Sequence, residues 1–196
     1  GHVTGVQTCA LPILAQGIYK ITETFEQMLC DYTGSPYAVA VDNQSNALFL
    51  ALYYEKVSGM EITIPARTYA SVPCEIIHAG AKVNFEPVEG KTIKGSYQLK
   101  PTKVWDSALS FDADMYKPNT HMCLSFTGPY KTLKLSKGGA ILTDDREAYF
   151  WFKKDTSSSL QYTGFHLVIA VFSTALRGHF LPKLACLTLS RTSGFS

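Results

Sequence analysis

Two hydrophobic rhythms take turns along the middle of the chain. In "ITETFEQMLCDY" the residues Ile21, Phe25, Met28, Leu29 and Tyr32 share one helical face. "TGSP" at 33–36 stops that helix. "YAVAV" at 37–41 is a continuous apolar run of strand length. "NQSNALFLALYYEKV" (43–57) predicts a second helix, opened by polar residues suited to capping. "EITIP" (61–65) predicts a strand, and "SVPCEIIHAG" (71–80) a helix closed by Gly80. Strands are predicted in "KVNFEPV" (82–88), in "TKVWDSA" up to Asp106, in "HMCLSF" (121–126) and in "GGAILTDD" (138–145). "REAYFWFKK" (146–154) starts a further helix. Apolar strands separated by helices predict an α/β fold, with a mostly parallel sheet between helices on both faces in three layers. No repeat and no linker interrupts the pattern.

Composition narrows the function classes. Apolar residues are 46% and charged residues 17% of the 196, which is globular. The net charge of +2 has no basic block behind it, so a nucleic-acid partner is not expected. The five cysteines (Cys9, Cys30, Cys74, Cys123, Cys186) are odd in number, scattered, and form no C-x-x-C pair. Neither a disulfide framework nor a metal site is expected, and a reducing cytoplasm fits. The ends depart from the pattern. Residues 1–13, "GHVTGVQTCALPI", read like translated sequencing adapter. Residues 155–196 hold four charged residues and twelve Ser or Thr, as a shifted reading frame would produce. The apolar run "FHLVIAVFSTAL" falls short of the ~20 residues that span a bilayer, so no membrane partner is expected. The expected division is 1–13, a domain at 14–154, and a non-native tail at 155–196.

Ligands of such sheets bind at the carboxyl ends of the strands. Polar residues gather just there: "DNQSN" (42–46), "ARTYAS" (66–71), "DSAL" (106–109) and "SFTGPYK" (125–131). The last opens a stretch with lysines at 131, 134 and 137. Their spacing fits a basic helix stripe, and equally a loop carrying one chemically special lysine.

These segments together resemble the DegT family of pyridoxal-phosphate-dependent sugar aminotransferases, from about Ala15 to Lys154. "NQSNALFLAL" sits where that family has S-G-T-x-A-L. "ITIPARTYASVPCEIIHAGAKVNFEPV" is similar to its I-x-V-P-x-x-T-[FY]…G-A-x-P-x-F segment. "WDSA" resembles E-D-A-A, and "SF…K…GGAILTDD" resembles S-F…K…G-G-A-x-x-T-x-D. The resemblance implies a truncated large domain of the type I aminotransferase fold. It also implies pyridoxal 5'-phosphate as cofactor.

The resemblance further implies roles. Lys131, seven residues before Gly138, would be the lysine that links covalently to the cofactor and shuttles the proton. Asp106 would pair with the pyridinium nitrogen, and Tyr69 would lie on the ring. Asn43, Gln44 and Ser45 would offer the start of a helix to the phosphate, and Ser125 a hydroxyl. For Tyr69 the alternative is a half-buried core aromatic. Glutamate or glutamine would be the amino donor and a nucleotide-linked keto sugar the acceptor, in a homodimeric parent protein.

Some positions differ from the family. Gln44 replaces a glycine, and Leu109 stands where Gln or His is frequent. "SFTGPYK" is one residue longer than usual. "VEGKTIKGSYQLKPTKVWD" is far shorter than the family's helix, strand and helix at that point. The differences at Gln44 and Leu109 favour an alternative, a non-catalytic binding or scaffold protein that keeps the fold. A sugar dehydratase on the same cofactor is a third reading. That branch carries histidine in place of the lysine, and Lys131 argues against it.

Overall fold

The computed structural model describes residues 18–88, 95–128, 133 and 137–160. The expectations for 1–13 and for most of 155–196 lie outside these residues, as does Lys131. Among the described residues four helices and seven strands follow in the order α1 Ile18–Thr33, β1 Tyr37–Val41, α2 Gln44–Tyr54, β2 Glu61–Pro65, α3 Ser71–His78, β3 Lys82–Glu86, β4 Tyr97–Gln98, β5 Val104–Asp106, β6 His121–Ser125, β7 Gly139–Thr143 and α4 Arg146–Leu160. All the predicted elements are present, and β4 is an addition.

The local signals act as their chemistry requires. α1 buries Phe25 and Leu29 and ends at Gly34, whose φ of 76° is the left-handed cap glycine adopts freely. Its N–H donates to the carbonyl of Cys30 at 2.9 Å. α2 buries Ala47, Leu48, Ala51 and Leu52, because it lies between the sheet and α3.

Five strands pair in the order β1-β7-β6-β5-β4, and β2 and β3 pair separately. β5 is parallel to β6, and β2 to β3; β7 is antiparallel to both β1 and β6, and β4 to β5. An antiparallel bridge between Thr63 and Lys100 joins β2 to the continuation of β4. It follows that β1, β2, β3, β5 and β6 run in one sense, while β4 and β7 oppose them. The α/β class holds. The reversal at β4 has a plain cause in the short stretch after β3. With no room for a crossover helix, the chain doubles back through a hairpin, which can only be antiparallel.

Alternate side chains divide between two cores. Val39, Val41, Cys123 and Ile141 join α2, α3 and α4 on one face. Ala38, Ala40, Met122, Leu124, Ala140 and Leu142 join Phe25 and Leu29 of α1, with Phe111 and Phe126, on the other. The rings of Phe25 and Phe126 meet edge to face at 5.7 Å. β1 is an edge strand, and Glu26 of α1 covers it by accepting from the Ala40 N–H at 2.9 Å. Lys153 of α4 pairs with the same carboxylate at 2.9 Å. Burial raises the Glu26 pKa, and the Lys153 charge only partly offsets it. Among the described residues no helix is long and apolar enough to cross a membrane, and no group of three or more His, Cys, Asp or Glu could hold a metal ion.

Candidate active site

The carboxyl ends of β1 and β6 meet the amino end of β7 along one edge. Gly139 pairs with Val41 on one side and Ser125 on the other. A Cβ on Gly139 would stand 2.8 Å from the Asn43 carbonyl carbon, the Gln44 nitrogen and the Leu124 oxygen. All three are backbone atoms that cannot swing aside. The second glycine of "GG" thus lets the start of α2 settle on the sheet edge.

Asn43 caps α2, its side-chain oxygen accepting from the Asn46 N–H at 2.9 Å. Asp42 in turn accepts from the side-chain amides of Asn43 (3.0 Å) and Asn46 (2.7 Å). The first-turn N–H groups of Gln44 and Ser45 have no partner within the helix, as at any helix start. Both residues are half-buried at this edge.

Asp106 ends β5 on the same edge and is 4% exposed. Its Oδ1 accepts from the Gln44 side-chain amide and from the Ala108 N–H at 2.9 Å. Its Oδ2 accepts from the Tyr97 hydroxyl at 2.6 Å. Tyr97 is bonded in turn to the Thr68 hydroxyl on the loop after β2. Since the one Tyr97 proton goes to an acceptor-only carboxylate, Thr68 donates to Tyr97. Burial first, and the Asp106 charge second, push the Tyr97 pKa up, which keeps it a donor. Fully buried Cys123, paired with Asp106 in register, is raised well above the usual thiol range by burial and then by Asp106. It is an inert thiol.

The structure therefore brings Asn43, Gln44, Ser45, Asp106 and Ser125 to one edge. Tyr69 lies beside Thr68 and is 77% exposed, which excludes a core role for its ring. Leu109 is 46% exposed. Lys131 and Lys134 lie outside the described residues, and Lys137 is exposed. The sequence offered Gln44 only as backbone, yet its side chain turns inward to Asp106 and to the Cys123 carbonyl at 3.3 Å. Tyr97 and Thr68 were missed. The signal was present: Tyr97 and Asp106 stand nine apart around "KPTK", a spacing a hairpin converts into a cross-strand pair. A surface groove lined by Tyr53, Tyr54, Lys103, Asp145, Glu147 and Trp151 lies at the opposite edge. Its charges are of both signs and nothing chemical converges there.

The model of the DegT/DnrJ/EryC1/StrS aminotransferase family matches residues 13–105. A comparison with curated proteins found no match. Solved structures share the fold. DesV of S. venezuelae superposes with a TM-score of 0.65 at 18% identity, covering 90% of this chain and 62% of its own. An aminotransferase from Psychrobacter cryohalolentis gives 0.58 at 18%, covering 78% and 50%. Helicobacter pylori PseC, an aminotransferase involved in the biosynthesis of pseudoaminic acid, gives 0.57 at 16%, covering 75% and 51%. The chain thus spans from about half to 62% of the length of these proteins. Residues 13–105 thus match the DegT/DnrJ/EryC1/StrS aminotransferase family model, and the chain shares the fold of these solved structures.

Proposed function

We propose that the chain carries the cofactor-binding part of a pyridoxal-phosphate-dependent sugar aminotransferase. The observation behind this reading is the buried Asp106 carboxylate, set on one sheet edge with the start of α2.

The residues fit the cofactor by a count of lone pairs. A carboxylate offers about four acceptor directions. Gln44, Ala108 and Tyr97 take three, and Oδ2 keeps one for a pyridinium N–H. The N–H groups of Gln44 and Ser45 suit a phosphate, helped by the positive end of the helix dipole. Asn43 holds that turn in shape. The half-buried Ser125 would add its hydroxyl, and the exposed Tyr69 ring would cover one face of the cofactor. Bound pyridoxal 5'-phosphate supplies an electron sink for amino transfer. Lys131 would hold it covalently and, when released, carry the proton as general base. Asp106 would keep the ring nitrogen protonated.

The amino donor in this reading is glutamate or glutamine, and the acceptor a nucleotide-linked keto sugar. The product would be an amino sugar for a surface polysaccharide or glycan, made in the cytoplasm by a homodimer. One observation favours the second reading, a non-catalytic protein that keeps the fold: at a position where the family has glycine, the Gln44 side chain reaches Asp106 and the Cys123 carbonyl.

Borohydride reduction in the presence of pyridoxal 5'-phosphate, followed by peptide mapping, separates the two. The expected outcome is a label on Lys131 that is lost in Lys131→Ala. A label on Lys134 or Lys137 would overturn the assignment of Lys131. Absence of any label would favour the non-catalytic reading.

A further inference from the structure

We infer that Tyr97, placed by the β4 hairpin, is a positioning residue that fixes the Asp106 carboxylate for the cofactor's ring nitrogen, with Thr68 orienting its hydroxyl. This inference rests on the cofactor reading above.

Three observations carry it. First, the Tyr97 hydroxyl donates to Oδ2 at 2.6 Å. Oδ1 is already held by two donors. A carboxylate held at one oxygen can still rotate about its terminal torsion, and a donor on the second oxygen stops that rotation. The direction left for a ring N–H is then set by Tyr97.

Second, the Thr68 → Tyr97 → Asp106 chain runs one way. Thr68 donates to the phenol oxygen, which aims the phenol proton at Oδ2. Thr68 is the neighbour of Tyr69, so the same loop supports both the ring cover and the carboxylate. Third, the hairpin has a geometric reason to do this. Tyr97 pairs with Asp106 in the antiparallel β4–β5 register. Cross-strand partners lie ~5 Å apart and share a face. In a parallel arrangement β4 would present its opposite end at this edge. The shortened stretch before Asp106 thereby becomes a working part of the site.

The test compares pyridoxal 5'-phosphate with its 1-deaza analogue, in which C–H replaces the ring nitrogen. Dissociation constants for both are measured on the full chain, without substrate. The wild type should prefer the natural cofactor by about tenfold or more, the scale of one hydrogen bond to a charged group. Tyr97→Phe should cut that preference by about threefold or more through weaker binding of the natural cofactor alone. Thr68→Val should act in the same direction and less. Equal weakening of both ligands in Tyr97→Phe would mark a merely structural residue and overturn the inference. An unchanged preference would do the same. If Tyr97→Phe does not fold, Thr68→Val decides, and an unchanged preference there overturns it. Failure of the wild type to bind, or to discriminate, overturns the cofactor reading itself, and is seen before any substitution is made.

Discussion

Ser107 is 1% exposed, and its hydroxyl finds no hydrogen-bond partner among the described residues. It follows Asp106 directly, where the family resemblance has alanine. A buried hydroxyl without a partner forfeits its hydration and gains nothing in return. Ser107→Ala is therefore expected to stabilise the chain by about 1 kcal/mol, read as a higher urea midpoint at unchanged slope. A loss of stability would show that the hydroxyl has a partner. The place of Asp106 at the end of a strand was legible in the sequence, while a role for it was implied only by the family resemblance. Its partners were not legible. Gln44 stands 62 residues away, and nothing in its neighbourhood says which way an amide will turn. Side-chain direction at a helix start is decided by the groove it faces, and that groove exists only after folding.

Elements were more legible than residues, since each carries its own period, but what ties them together was not. His121 of β6 is an example. One ring nitrogen meets the Thr143 hydroxyl of β7 at 3.0 Å, and the other the Glu55 carboxylate at the end of α2 at 3.2 Å. Thr143 also accepts from the Asp145 N–H, so its own proton is available for the ring. The neutral ring, accepting from Thr143 and donating to Glu55, satisfies every group. Burial lowers the His121 pKa below 6.5, and the opposing pull of Glu55 does not reverse this. The unfolded chain therefore binds a proton that the folded chain refuses. Stability is full above the unfolded value and is lost as pH falls through it, by no more than about 1.4 kcal/mol per pH unit. Glu26, whose pKa is raised, works in the opposite sense nearby, so a single profile cannot isolate His121. The difference between wild type and His121→Gln can. The wild type should lose more stability than the variant between pH 7.5 and 5.5 in urea titrations, and parallel profiles would refute the assignment.

At the scale of the whole molecule the class was legible and the joint was not. The alternation of apolar runs sufficed for α/β, because strands buried on both faces must read that way. The reversal at β4 was illegible, because a two-residue strand has no period. β2 and β3 meet the five-stranded sheet at one bridge, Thr63 N–H to Lys100 carbonyl at 2.9 Å and Lys100 N–H to Thr63 carbonyl at 3.2 Å. So thin a seam suggests two units that could open separately. The packing argues otherwise. Ile62 and Ile64 of β2, Leu99 beside the bridge, Val104 of β5 and Cys123 of β6 belong to one buried cluster. α2 and α3 close over it together. Leu99 is fully buried at the junction, and Leu99→Ala should cost about 2–5 kcal/mol. If the shared core governs, hydrogen exchange in the variant should speed up by the same factor at Ile62 and Ile64 as at Cys123 and Ile141. Loss of protection confined to β2 and β3 would show that the bridge, and not the core, sets the cooperative unit.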